Sequence, residues 1–136
     1  RSILDYIECK YGDQYDLAST EIPQITKYNV GQEFKAHYDF DDDIKRRDIK
    51  KRFPKAKHLN VANDRIATII LYLNDDFTGG TTYFPMLNIK VTPVAGNILY
   101  FKYKEKNDIA DMTLHAGLPI ISGTKKILTL WIHEEN

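Results

Sequence analysis

His37 and Asp39 stand two residues apart at the end of the alternating run YNVGQEFKAHYDF. Both side chains ligate first-row metals, and on a strand residues i and i+2 point to the same side. Two imidazoles and one carboxylate on one face hold an ion such as iron(II). They leave about three coordination positions open for a chelating substrate and for oxygen. The third ligand must come from elsewhere in the chain, which offers His58, His115 and His133. His58 lies in a charged stretch suited to a loop. His133 is three residues from the C-terminal end of the sequence, where fraying is expected. His115 opens HAGLPI, at a strand edge beside small residues, and is the favoured partner. A lone His-x-Asp is common on polar surfaces, so the assignment needs further residues in register.

Lys125 supplies one. It follows His115 by ten residues, across a turn marked by Pro119 and Ser122-Gly123. In a hairpin that spacing brings two residues onto facing strands. An ammonium beside a dicationic metal is unfavourable unless an anion lies between them. A dicarboxylate satisfies both, with one end on the metal and the other on Lys125. Tyr28, nine residues before His37, can add a hydroxyl to that far carboxylate.

The elements that must position these residues read as strands. IPQITKYNV (22–30) and EFKAHYDF (33–40) alternate, with Gly31-Gln32 between them. RIATIILYLND (65–75) is a continuous β-branched and aliphatic run, the pattern of a strand buried on both faces. DDFTGGTTYFP (75–85) reads as a turn and a short strand; IKVTP (89–93), GNILYF (96–101), MTLHAGLPI (112–120) and KKILTLWIHE (125–134) complete the series. Strands every ten to fifteen residues with turns between them predict an antiparallel sandwich or barrel of the jelly-roll type. RSILDYIECK (1–10), with Gly12 after it, predicts one amphipathic N-terminal helix. Residues 41–64 are charged and weakly periodic, as in a solvated loop, and they follow the His-Asp pair directly, where a lid would sit.

The 136 residues fit one domain, and 43% hydrophobic content with nine Tyr and six Phe supplies a core. Nineteen basic and nineteen acidic residues cancel, which argues against a nucleic-acid or anionic-membrane partner, although KRRDIKKRFPKAK (45–57) is locally basic. No apolar run approaches the roughly 18 residues of a membrane span. Cys9 is the only cysteine, which tilts the expected compartment toward a reducing, cytoplasmic one.

Taken together, YNVGQEFKAHYDF, RIATIILYLNDDFTGGTTYFP, VTPVAGNILYF and HAGLPIISGTKKILTLWIHE resemble the prolyl 4-hydroxylase family of 2-oxoglutarate- and iron(II)-dependent dioxygenases. The joint pattern is specific: His-x-Asp, Gly-Gly-x-Thr-x-Phe-Pro, Pro-x-x-Gly, then His with Lys at plus ten and Trp at plus sixteen. The resemblance implies a mainly β fold, the double-stranded β-helix (a jelly-roll, cupin-like architecture). It implies His37, Asp39 and His115 as iron ligands. Lys125 and Tyr28 would take the distal carboxylate of 2-oxoglutarate, Thr68 would line that pocket, and Trp131 would stand close to the reacting atoms. It implies iron(II), 2-oxoglutarate and oxygen, with ascorbate as an accessory reductant, and a proline-containing peptide or protein as substrate. Tyr38, Phe40, Tyr83 and Trp131 are candidate walls of a groove for an extended, proline-rich chain.

Three departures accompany the resemblance. Thr81 stands where the family usually has Glu, Lys126 where an aromatic often follows the lysine, and the strands that usually precede the first helix are missing from this sequence. Two other functions remain to be weighed. One keeps iron and 2-oxoglutarate but acts on a free amino acid, a small metabolite or a nucleic-acid base. The other is a cupin-like binding module without catalysis.

Overall fold

The computed structural model describes residues 21–40, 65–103 and 112–133. Among these residues lie ten strands. They are β1 (Gln24–Tyr28), β2 (Phe34–His37), β3 (Arg65–Tyr72), β4 (Thr78–Gly79), β5 (Thr82–Phe84), β6 (Ile89–Val91), β7 (Ile98–Lys102), β8 (His115–Gly117), β9 (Ile120–Ser122) and β10 (Lys125–His133). They form one four-stranded sheet in the order β1-β10-β3-β7, a second in the order β2-β8-β5-β6, and a two-stranded pair β4-β9. Every pairing is antiparallel. The chain passes repeatedly from one four-stranded sheet to the other: β1 to β2, β3 to β5, β6 to β7, β8 to β10. This alternation is the double-stranded β-helix expected from the sequence. The N-terminal helix expected at residues 1–10, the charged stretch 41–64 and His58 lie outside the described residues.

The two longest strands, β3 and β10, sit at the centre of the first sheet and pair over most of their length. Their side chains alternate between two faces. Ala67, Ile69 and Leu71 of β3 pack with Leu128, Leu130 and Ile132 of β10 in one buried cluster. Ile70, Tyr72 and Ile127, on the other face, form a second cluster with Tyr28, Val91, Leu99 and Phe101 packed against it. A strand apolar on both faces reads as an uninterrupted aliphatic run, which is why RIATIILY shows no alternation. Each fully buried Leu or Ile here contributes roughly 1.5–3 kcal/mol, so this sheet is a rigid wall.

Prolines and glycines set the breaks. The stretch 112–120, read as one strand, is two: β8 ends at Gly117, and β9 begins at Ile120 after Leu118-Pro119. Pro119 has no N–H to continue the ladder. Likewise, β4 and β5 are separated at Gly80-Thr81. Gly79 and Gly80 both have positive φ, 79° and 66°. A Cβ on Gly79 would lie 2.4 Å from the Pro119 carbonyl oxygen, and one on Gly80 would lie 2.6 Å from Ile120 Cδ1. Backbone conformation and close packing both demand glycine at this pair.

Candidate active site

The second sheet delivers the histidines. His37 on β2 and His115 on β8 are direct cross-strand partners, and their ring centroids lie 4.3 Å apart. Asp39 follows two residues beyond His37 and is buried. Ligand atoms from His37, Asp39 and His115 all lie within 4.8 Å of one another. His37 Nε2 is 3.1 Å, and His115 Nε2 3.6 Å, from the same oxygen, Asp39 Oδ1.

Both rings are oriented by the same device. His37 Nδ1 lies 2.7 Å from the Lys35 carbonyl oxygen, and His115 Nδ1 lies 2.8 Å from that of Thr113, each two residues back along the chain. A carbonyl only accepts, so each Nδ1 carries the proton and donates it. Each ring thereby turns its Nε2 toward Asp39 Oδ1. A cation bound at that point would take the place of the Nε2 proton, with each nitrogen then offering a lone pair. A donor set of this kind fits a divalent first-row metal.

The electrostatics agree. Burial raises the Asp39 carboxyl, but the hydrogen bonds from His37 and Thr68 and the field of the two imidazoles outweigh it and leave the pKa below its ordinary value. Burial lowers the His115 pKa, against the pull of the Asp39 charge, and so favours the neutral ring. An ionised carboxylate beside a neutral imidazole is the protonation state that metal ligation requires. Apolar rings seat the histidines: Phe34 lies 4.0 Å from His37, and Phe101 and Phe84 lie 4.9 Å and 5.6 Å from His115, centroid to centroid.

A cavity of about 240 Å³ runs from this cluster between the sheets. Lys125 lines it, and so do Tyr28, Ile70, Thr82, Thr129 and Trp131. Lys125, Ile127, Thr129 and Trp131 are alternate residues of β10, so one face of one strand furnishes much of the wall. Lys125 is 4% exposed. Its Nζ donates to the Gly80 carbonyl oxygen at 2.7 Å and lies 5.5 Å and 6.0 Å from the ring centroids of Tyr28 and Tyr72. Among the described residues it has no ion pair, and burial lowers its pKa to about 8. Tyr28 is its direct partner on β1. Burial raises the phenol of Tyr28, keeping it a donor.

The structure differs from the sequence expectation in several places. His115 and Lys125 are not on paired strands of a hairpin; β8 and β10 belong to different sheets, and the two residues face one cavity from opposite walls. Thr68, expected against the far carboxylate, is instead fully buried behind the metal-ligand cluster. Its hydroxyl donates to Asp39 Oδ2 at 2.7 Å, while Ile70 and Thr129 occupy the cavity wall. His133 does not fray. It ends β10 half-buried, with Nε2 2.8 Å from a Glu21 carboxylate oxygen.

That last contact belongs to a cluster the sequence reading did not foresee. Arg65 donates two hydrogen bonds to Glu21, at 2.5 Å and 2.8 Å, and its guanidinium stacks 4.1 Å from the centroid of the Trp131 ring. Burial raises the Glu21 carboxyl, but Arg65 and His133 bring it below the usual range. The cluster holds the Trp131 indole against the cavity, and Nε1 of that ring is buried without a hydrogen-bond partner among the described residues. Of the four aromatics read as groove walls, Trp131 alone is in the cavity lining; Tyr38 stacks with Phe40 at 4.9 Å, and Tyr83 lies under Lys90. Tyr103, also unforeseen, hydrogen-bonds Thr68 at 2.8 Å. Its contact spans 35 residues of sequence, and no local pattern marks it.

Comparison with known proteins bears on the same segments. The sequence profile of the 2OG-Fe(II) oxygenase superfamily matches residues 23–133, a span that holds His37, Asp39, His115 and every residue lining the cavity. The human prolyl 4-hydroxylase subunit alpha-1 is 32% identical over 121 residues, covering 88% of this chain and 21% of its own. The Caenorhabditis elegans prolyl 4-hydroxylase subunit alpha-2 is 31% identical over 136 residues, covering 98% of this chain and 24% of its own. The chain thus spans under half the length of the curated relatives it matches. Among solved structures, the viral collagen prolyl hydroxylase of Paramecium bursaria Chlorella virus-1, in complex with 2OG, superposes with a TM-score of 0.63 at 29% identity. That match covers 98% of this chain and 69% of the viral one. A Pseudomonas putida prolyl-4-hydroxylase shares the fold, with a TM-score of 0.59 at 20% identity over 97% of this chain and 62% of its own. With the profile spanning nearly the whole described fold and relatives above 30% identity over most of its length, this chain belongs to the 2OG-Fe(II) oxygenase superfamily.

Proposed function

We propose that this protein is an iron(II)- and 2-oxoglutarate-dependent dioxygenase that hydroxylates an unactivated C–H bond, with a peptidyl proline as the substrate and C4 as the position. The observation that carries this reading is the pairing of two features across one cavity. His37 Nε2, Asp39 Oδ1 and His115 Nε2 converge at one end, and a buried ammonium without a carboxylate partner among the described residues stands on the facing wall. The names of the relatives point to proline as the hydroxylated residue.

His37, Asp39 and His115 would hold the iron, which when bound supplies the redox chemistry that couples decarboxylation of 2-oxoglutarate to oxygen insertion. The overall balance is 2-oxoglutarate, oxygen and substrate C–H giving succinate, carbon dioxide and substrate C–OH. The residues contribute orientation and charge. The Lys35 and Thr113 carbonyls fix which nitrogen of each ring is free. Lys125 and Tyr28 would each donate to the distal carboxylate of the cosubstrate, the ammonium as an ion pair and the phenol O–H as a hydrogen bond to the anion, and an anion beside Lys125 restores the ammonium that burial disfavours. Ile70, Ile127 and the aromatic rings around the histidines keep water from the reacting end. Trp131, pinned by Arg65, would form a wall on the substrate side of the cavity.

The test is succinate formation from 2-oxoglutarate with iron(II), oxygen and ascorbate across a panel of proline-containing peptides, with mass detection of one added oxygen. Turnover with proline peptides and not with their proline-free counterparts is the expected outcome. Turnover driven only by a free amino acid, a small metabolite or a nucleobase overturns the proline assignment. Protein that neither binds nor consumes 2-oxoglutarate is a binding module.

A further inference from the structure

The two oxygens of Asp39 have different surroundings. Oδ1 faces both imidazoles, 3.1 Å from His37 Nε2 and 3.6 Å from His115 Nε2. Oδ2 accepts the Thr68 hydroxyl at 2.7 Å. A threonine hydroxyl has one proton, and Thr68 gives it to the carboxylate. The 2.8 Å contact between Thr68 and Tyr103 is therefore donated by the phenol. Burial, followed by the Asp39 charge, raises the Tyr103 pKa and keeps that proton in place. Both donors are locked. Thr68 is 0% exposed and lies between Trp131 and Phe101 in the sheet; Tyr103 is 1% exposed, and its own N–H is bonded to the Ile66 carbonyl.

We propose that Thr68 and Tyr103 are positioning residues, a directional chain from phenol to hydroxyl to carboxylate that occupies Asp39 Oδ2 and confines metal ligation to Oδ1. This rests on the metal reading above and extends it to how the coordination positions are kept open. A carboxylate free to bind through both oxygens takes one more position from the set needed by a chelating cosubstrate and oxygen. The buried hydroxyl of Thr68 prevents this without touching metal or substrate itself.

Cobalt(II) titrated calorimetrically into metal-free protein tests it, with circular dichroism and the visible cobalt spectrum as companion readouts. Thr68→Val keeps the shape and removes the hydroxyl; metal affinity falls about 10- to 100-fold, and the cobalt bands shift toward a higher coordination number. Thr68→Ser restores both. Tyr103→Phe weakens binding less, and in the Thr68→Val background it adds nothing, because the phenol then has no hydroxyl to support. Thr68→Ala replaces Thr68→Val in the cycle if the valine variant does not fold. Equal cobalt affinity and spectrum in wild type and the hydroxyl-free variant overturns the relay alone, as do fully additive losses in the double variant. Wild-type protein that binds no metal overturns the ligand reading, and the relay with it.

Discussion

The two ends of the cavity are built on opposite principles. At the His37–Asp39–His115 end the far side of each residue is tied: each histidine donates Nδ1–H to a backbone carbonyl, and Asp39 Oδ2 takes the Thr68 hydroxyl. At the Lys125 end a buried ammonium has, among the described residues, one backbone carbonyl, Gly80, and two aromatic rings at 5.5 Å and 6.0 Å. The first end is preorganised and complete apart from a cation. The second bears a buried charge that its surroundings compensate poorly, and burial accordingly lowers the Lys125 pKa to about 8. A rigid, electron-rich end and an anion-seeking end suit a ligand that is a chelate at one terminus and a carboxylate at the other.

The largest effect belongs to the first end. Asp39→Ala or His115→Ala abolishes iron-dependent succinate formation and leaves a folded protein; iron-dependent turnover persisting at wild-type rate in either variant removes those residues from the site. At the second end, Lys125→Met acts in two directions. The 2-oxoglutarate affinity of the metal-loaded protein drops about 10- to 100-fold, or about 1.5–3 kcal/mol, while cobalt affinity stays unchanged. The ligand-free protein becomes more stable in denaturant titrations, because a buried, poorly compensated charge is gone. If Lys125→Met instead destabilises the free protein, the contrast between the two ends is lost.

The same contrast sets the pH dependence. The folded pKa of Lys125, about 8, lies below the 10.5 of an ordinary lysine. Between these values the unfolded chain holds more protons than the folded one, so the stability of the ligand-free protein rises with pH across that window. The Lys125 contribution amounts to at most on the order of 3 kcal/mol. Binding of 2-oxoglutarate has the opposite sign. It needs the ammonium, so affinity is flat below about pH 8 and declines by up to about tenfold per pH unit above it. Lys125→Met should flatten both profiles, and calorimetry against denaturant melts across pH distinguishes them.

The smallest effect sharpens the Lys125 end without removing charge. A Cβ on Gly80 would lie 2.6 Å from Ile120 Cδ1 and 3.0 Å from Lys125 Cδ, at φ +66°. Gly80→Ala costs about 1–3 kcal/mol of stability and displaces the carbonyl that holds Nζ. Its 2-oxoglutarate affinity therefore falls while cobalt affinity holds.

Part of the His37–Asp39–His115 cluster was legible, since His37 and Asp39 are two apart in the sequence; β2 nevertheless ends at His37, with Asp39 just beyond it, and His115 joins them from the distant strand β8. The continuous aliphatic run 65–72 likewise announced a strand buried on both faces, as β3 is. The supports were not legible. Thr68 was placed by resemblance on the cosubstrate pocket, and its partner Asp39 is 29 residues away. Tyr103 reaches Thr68 across 35 residues, and His133 reaches Glu21 across 112. Such contacts are products of sheet register, which no window along the chain contains. The cavity wall Lys125-Ile127-Thr129-Trp131 was partly readable, since period-two spacing from Lys125 marks each residue once the strand is known.

The proposed function requires one molecule of 2-oxoglutarate to bridge the His37–Asp39–His115 cluster and Lys125. Its direct test is anaerobic calorimetric titration of 2-oxoglutarate, with excess iron(II) present, into wild type, Asp39→Ala, Lys125→Met and the double variant. Loss of affinity in each single variant, with the largest loss in the double, is the predicted result. Affinity indifferent to Lys125, or undiminished without Asp39, contradicts the account.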